Sequence, residues 1–283
     1  MINSWGFELE VGDVRKSLRI PQQFGKWEYA ERDIVNSLPP YKGICADPLG
    51  FNPPVGGEIN LVPTSTYTEQ VLKIMQLLQF LRSSGETPTV PPTSHSHIHV
   101  HVEGLENDIE KLKKLTRYIK ENQKDFVETV YKYREIPGIL PKANTYLKLD
   151  GGKLMPNWMC DNIVEKANNF NDFIRIQCCG KDGVSMGRPI RYAINTYCLK
   201  HTKTIEFRCF RGTDNRELLT NCFYAVAMFM YCALGDQTKF IETKATLLEY
   251  PNMQYDKELF QGWIDTKKPE QKSARKNREY IHV

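Results

Sequence analysis

No stretch of this sequence reads as an unbroken apolar run of membrane-spanning length, which argues against a membrane protein. The opening residues, Met1-Ile2-Asn3-Ser4-Trp5-Gly6, lack the basic segment followed by an apolar segment that marks a secretory signal, so a cytoplasmic location is expected. Cysteine is present, but no two cysteines stand in a CxxC pair. Cys160, Cys178, Cys179, Cys198, Cys209, Cys222 and Cys232 lie among strand-like or helix-like apolar residues. Buried free thiols in a reducing compartment are therefore expected, rather than a disulfide framework. The glycine-rich stretch 180–187 has no GxxxxGK[ST] pattern, so it is not a phosphate-binding P-loop. Internal repeats are absent. An excess of one charge is also missing: the formal net charge of +4 gives little reason to expect a nucleic-acid partner.

What the chain does have is alternation. In His97-Ile98-His99-Val100-His101, three of the six histidines fall within five residues. Successive side chains of a strand point to opposite faces, so the imidazoles share one face and the aliphatic residues the other. Imidazole ligates divalent metals at neutral pH. Trp5 to Gly12 repeats the pattern, with Phe7, Leu9 and Val11 on one side and Glu8 and Glu10 on the other. Neighbouring carboxylates on one strand face repel unless a cation or base lies between them. Gly56 to Pro63 places Glu58 and Asn60 together, and Thr204 to Thr213 places Glu206 and Arg208 together. Ile174 to Cys178 also alternates and reads as a strand.

The helical spacings are equally plain. Ser65 or Thr66 caps a helix running to about Arg82, with Val71, Ile74, Met75, Leu77, Leu78 and Leu81 as its core stripe. Further helices are predicted over 107–134, 157–169 and 237–249, with a short one over 28–37. Another starts at an Asp214 cap and runs to Leu234, apolar on most sides and so buried. Turns are expected at 47–50 and 52–54, and a short strand over 145–149. The basic stretch 267–278 reads as a loosely ordered tail, with weak support for an acidic partner such as nucleic acid.

If the alternating strands are neighbours, their polar faces line one concave wall. Glu8, Glu10, Glu58, His99 and Glu206 could then hold two or more divalent ions, a donor set suited to Mg²⁺ or Mn²⁺. Arg188, Arg191, Arg208 and Arg211 would supply bidentate contacts to phosphate or carboxylate groups. Metals and arginines around one pocket describe the electrostatics of phosphoryl transfer.

These pieces resemble the amidoligase branch of the carboxylate–amine ligases, relatives of glutamine synthetase. The resemblance rests on Gly6-Phe7-Glu8-Leu9-Glu10, Glu58-Ile59-Asn60, His99-Val100-His101-Val102, Arg191 with Asn195, and Thr204-Ile205-Glu206-Phe207-Arg208 with Gly212-Thr213. It implies an α+β fold: a curved, mainly antiparallel sheet with helices packed on its outer side, as in the glutamine synthetase catalytic domain. That domain would span 1–263, with a substrate-shaping insertion around 104–187 and a polar tail over 264–283. It implies an ATP-dependent ligase that forms an amide, of peptide or isopeptide type, through an acyl-phosphate intermediate. The partners would be a carboxylate substrate and an amine acceptor: an amino acid, peptide, polyamine or protein side chain. Glu8, Glu10, Glu58, His99 and Glu206 resemble the metal ligands, and His101 would stand nearer the nucleotide phosphates. Arg191 and Arg208 resemble the groups that bind the γ-phosphate, with Arg188 and Arg211 as additional phosphate contacts. His95 and His97 fall outside that pattern and read either as solvent-facing additions, the reading slightly preferred, or as a second layer around the ligands. Related synthetases form rings, whereas this shorter chain is expected to be a monomer or dimer. Two other functions use the same residues: a catalytically degenerate metal- or nucleotide-binding module, and a metal-dependent hydrolase or nuclease.

Overall fold

In the computed structural model, residues 1–12, 19–29, 56–86, 88, 90, 95–132, 153–187 and 189–248 are described. Arg188, the turns at 47–54, the strand expected over 145–149 and the tail lie outside them.

Six strands form one sheet in the spatial order β2-β3-β1-β4-β6-β5. They are β1 (Ile2–Gly12), β2 (Gly25–Tyr29), β3 (Gly56–Leu61), β4 (His95–Val102), β5 (Ile194–Asn195) and β6 (Thr204–Arg211). Every neighbouring pair is antiparallel. With the helices α1 (Tyr67–Ser83), α2 (Ile109–Lys132), α3 (Asn157–Lys166), α4 (Phe170–Gln177), α5 (Arg216–Leu234) and α6 (Gln237–Leu248), this is an α+β architecture.

The alternation in each strand decides which face the helices cover. Phe7, Leu9 and Val11 of β1, Ile59 of β3, Ile98 and Val100 of β4, and Ile205 and Phe207 of β6 are all buried. Phe7 packs on Phe223 of α5 at 5.5 Å, and Phe126 of α2 meets Phe207 edge-on at 5.7 Å. Helices therefore seal the apolar face and leave the polar face to the site. Thr66 caps α1 in a capping box: its hydroxyl accepts from the Glu69 amide, and Glu69 accepts from the Thr66 amide.

Several expectations are corrected. The alternating stretch at Ile174 is the end of helix α4, whose apolar residues Phe170, Phe173, Ile174 and Ile176 follow helical spacing and whose Asn169 side chain caps the Asp172 amide. Of the expected helix over 28–37, Glu28 and Tyr29 belong instead to β2, and 30–37 lie outside the described residues. Asn215, not Asp214, caps α5, accepting from the Leu218 amide at 3.0 Å; Asp214 pairs with Arg82. α5 is also long and apolar enough to cross a membrane by length and composition, contrary to the reading of the sequence, but it is mostly buried within the core. The seven cysteines among the described residues are free; Cys160, Cys209 and Cys232 are buried, whereas Cys178, Cys179, Cys198 and Cys222 are only partly so.

Candidate metal centre

Strand register places the polar side chains in rows across the sheet. One row runs Lys26, Asn60, Glu8, His97 through β2, β3, β1 and β4. The next runs Gly6, His99, Glu206, Asn195 through β1, β4, β6 and β5. Gly6 leaves room for the imidazole here: a Cβ at this position would stand 3.3 Å from the His99 Cβ, closer than such contacts normally come. Between Ser96 and Ile98 of β4 the register slips by one residue against Phe207 to Phe210 of β6. This bulge falls at Arg208, and bulges beside a site re-aim a side chain.

The rows converge at the centre. His97 Nδ1 lies 2.6 Å from Glu8 Oε2 and 3.4 Å from Glu206 Oε1. His99 Nε2 lies 2.9 Å from Glu8 Oε1. Arg208 donates to Glu206 Oε1. The other Glu206 oxygen is held by Asn195 Nδ2 at 2.7 Å and by the Cys198 thiol at 3.0 Å. Asn60 donates to Glu58 Oε1 at 3.0 Å. Glu8, His99 and Glu206 present ligand atoms within 4.8 Å of one another, and so do Glu8, Glu58 and His97. The two triads share Glu8.

The electrostatics follow from burial and neighbours. Burial would raise the Glu8 carboxyl, but the two imidazoles overcome this and hold it far below its ordinary 4.5. Burial likewise works against an ionised Glu206, and the Arg208 guanidinium, with His97 and His99, brings its pKa below the ordinary value. The two histidines diverge. Burial dominates at His97 and pushes its pKa down, aided by Arg208, so it stays neutral and donates to Glu8. Burial also opposes charge on His99, but there the Glu8 carboxylate prevails and the pKa rises. Cys198 is pushed upward by burial and then by Glu206, which keeps it a thiol and a donor.

Above this cluster opens a cleft of about 880 Å³, lined by Glu8, Glu58, His97, His99, Glu206 and Arg208, and on its flanks by Lys153, Arg191, Tyr197 and His201. The donor set suits a divalent cation. Three carboxylates, Glu8, Glu58 and Glu206, line the cleft together with His97 and His99, and oxygen with imidazole nitrogen is the chemistry of Mg²⁺ or Mn²⁺ sites. His99 gives a more specific sign: its Nε2 is buried and faces Glu8 Oε1 at 2.9 Å, a pair of acceptor atoms that needs a proton or a cation between them. Arg208 Nε is also buried without a partner, leaving donor capacity at the edge of the cleft.

Of the residues expected from sequence, Glu8, Glu58, His99, Glu206, Arg191 and Arg208 come together around this cleft. Glu10 stands one row outward, opposite Glu58, and is in neither triad. His101 stands on the other side of His99, opposite Ser4 and Thr204, and does not line the cleft. Arg211 pairs with His95 in register at the far end of β6. His97 overturns the preferred of its two readings: it is 4% exposed and bonded to Glu8, not solvent-facing. Cys198, Tyr197, His201, Thr202 and Lys153 were missed. All but Lys153 lie in or beside the 3₁₀ turn Thr196–Lys200, where no two- or four-residue period exists to mark them. No protein-family model, curated protein or solved structure matches the chain.

Proposed function

We propose that the protein is an ATP-dependent carboxylate–amine ligase of glutamine synthetase-like fold, forming an amide through an acyl phosphate. The observation that carries this reading is the pair of ligand triads sharing Glu8, with the Arg208 guanidinium against Glu206 in the same cleft. A carboxylate resists amines because oxide is a poor leaving group, and phosphorylation supplies a better one. Transfer of a phosphoryl group needs concentrated positive charge and fixed donors around crowded oxygens. Arg208 and Arg191 flank the cleft where such oxygens would sit.

Glu8, His99 and Glu206 would hold one cation and Glu8, Glu58 and His97 a second. Bound divalent ions supply charge neutralisation and Lewis acidity at phosphoryl oxygens. The chain's own groups do the rest. Asn195 and Cys198 fix one Glu206 oxygen, Arg208 takes the other, and Asn60 orients Glu58, so the acidic wall is set before substrate enters. Arg208 has an unused Nε for an anionic oxygen. An antiparallel sheet with helices on one face and the acidic and imidazole groups on the other also accords with the synthetase-like arrangement.

The test is product analysis with ATP, Mg²⁺ or Mn²⁺, and pools of carboxylates and amines. ADP, phosphate and an amide in equal amounts support the ligase. AMP with pyrophosphate overturns the acyl-phosphate route, and phosphate release without amide points to a hydrolase.

A further inference from the structure

We infer that Thr202 and Thr204 are positioning residues that fix the tautomer of His99, placing its proton on Nδ1 and leaving Nε2 as the ligand atom; this rests on the metal-centre reading above. The argument is one of hydrogen-bond direction. The Thr202 hydroxyl lies 3.0 Å from the Cys198 carbonyl oxygen, which can only accept. The same carbonyl accepts the His201 and Thr202 amides, and the Thr202 hydroxyl is placed to donate to it as a third donor. The Thr202 and Thr204 hydroxyls are 2.7 Å apart, so with the Thr202 hydrogen on the carbonyl the one between them comes from Thr204. Thr204 Oγ1 is 2.9 Å from His99 Nδ1 and has no hydrogen left to give, so Nδ1 must be the donor.

The opposite sense fails at one link. If Thr204 donated to Nδ1, either the two hydroxyl oxygens or Thr202 and the carbonyl would face each other with no hydrogen between them. Only one arrangement fills all three contacts. Its far end is the Nε2 lone pair, buried beside Glu8 Oε1, where two acceptors face each other at 2.9 Å until a cation or a proton lies between them. A backbone carbonyl in a 3₁₀ turn thus sets the chemistry of a ring two hydroxyls away.

The chain of bonds makes an uncommon prediction for Thr202, which touches neither the ring nor any ligand. Thr202→Val frees the Thr204 hydroxyl to donate to Nδ1, which favours the Nε2–H form and masks the ligand atom. The turn itself should persist, because the Thr202 amide also donates to the Cys198 carbonyl at 2.9 Å.

The experiment has two arms. Ring-nitrogen NMR of the metal-free, ¹⁵N-labelled protein, taken above the titration of His99, should show Nδ1 protonated in the wild type. Thr202→Val should shift the ring towards protonated Nε2, and Thr202→Ser should restore the wild-type spectrum. Calorimetry with Mn²⁺ should show affinity falling about 10–100-fold in Thr202→Val and Thr204→Val, with recovery in both serine variants. A wild-type ring protonated on Nε2, or a Thr202→Val protein with unchanged ring shifts and Mn²⁺ affinity, overturns the inference. A wild type that carries Nδ1–H but takes up no Mn²⁺ upholds the hydrogen-bond assignment and sinks the metal reading instead.

Discussion

The two faces of the sheet are built from the same strands, often from adjacent residues, yet they are held by different physics. Beneath, Phe207, Phe7 and Ile98 are buried against helices α2 and α5, and each could give way to a similar hydrocarbon with modest loss. Above, Glu206 and His97 are buried almost as deeply and Glu8 is partly buried, but they face one another, and each is tolerable only because its neighbour is charged or hydrogen-bonded. The lower face asks for volume; the upper face asks for particular atoms at particular places. A network of like charges kept this close is poor architecture for stability alone, and it becomes economical once a cation joins it.

The largest effect that separates the faces should come from two neighbours in β6. Phe207→Ala leaves a cavity among Phe126 and Phe229 and should cost about 3–5 kcal/mol, seen as a large fall in the urea midpoint. Arg208→Ala should abolish the proposed ligase turnover while circular dichroism stays that of the folded protein. An Arg208→Ala protein that forms amide as the wild type does would remove it from the site.

Next is Gly6, on the upper face in line with His99. Gly6→Val should push the imidazole from its place and weaken Mn²⁺ binding on the order of tenfold or more, with little change in the helical signal. Unchanged affinity would show that the ring has room to spare.

A smaller effect separates the faces by pH. The folded-state pKa values of Glu8 and Glu206 are depressed, so in metal-free protein the stability they contribute is fully present above about 4.5 and is lost as pH falls through their folded values. His99 has the opposite sign: its raised folded pKa gives stability present below 6.5 and lost as pH rises through that folded value. The melting-temperature difference between wild type and Glu8→Gln should therefore shrink on acidification below about 4.5. A lower-face variant such as Ile98→Val should show a nearly constant difference over the same range. The smallest effect belongs to neither face: Asp214→Ala breaks an exposed pair with Arg82 and should change stability by about 0–1 kcal/mol.

The two faces were also unequally legible in the sequence. Strict alternation over β1, β3, β4 and β6 revealed the strands and their inward side chains, because a two-residue period is a property of the local chain. It also sorted Glu8, Glu58, His99 and Glu206 onto one face. It could not tell which of the three alternating histidines reach Glu8, since that depends on the register between β1 and β4, which puts Glu8 opposite His97 and beside His99 but away from His101. The same limit hid the displacement of Glu10 and His101 to neighbouring rows. Ile174 misled because five residues cannot distinguish a two-residue period from a helical one; the Asn169 cap, three residues before Asp172, was the usable signal. Cys198 and Thr202 had none, because a 3₁₀ turn and its following loop carry no period and their roles come from packing against β6.

Glu8 offers the most direct test, since it belongs to both triads. Mn²⁺ titration of the purified protein, followed by calorimetry or electron paramagnetic resonance, should give two ions per chain in the wild type and neither at comparable affinity in Glu8→Ala. A wild type that binds no ion, or a folded Glu8→Ala protein that still binds two as tightly, would contradict a metal centre organised around that carboxylate.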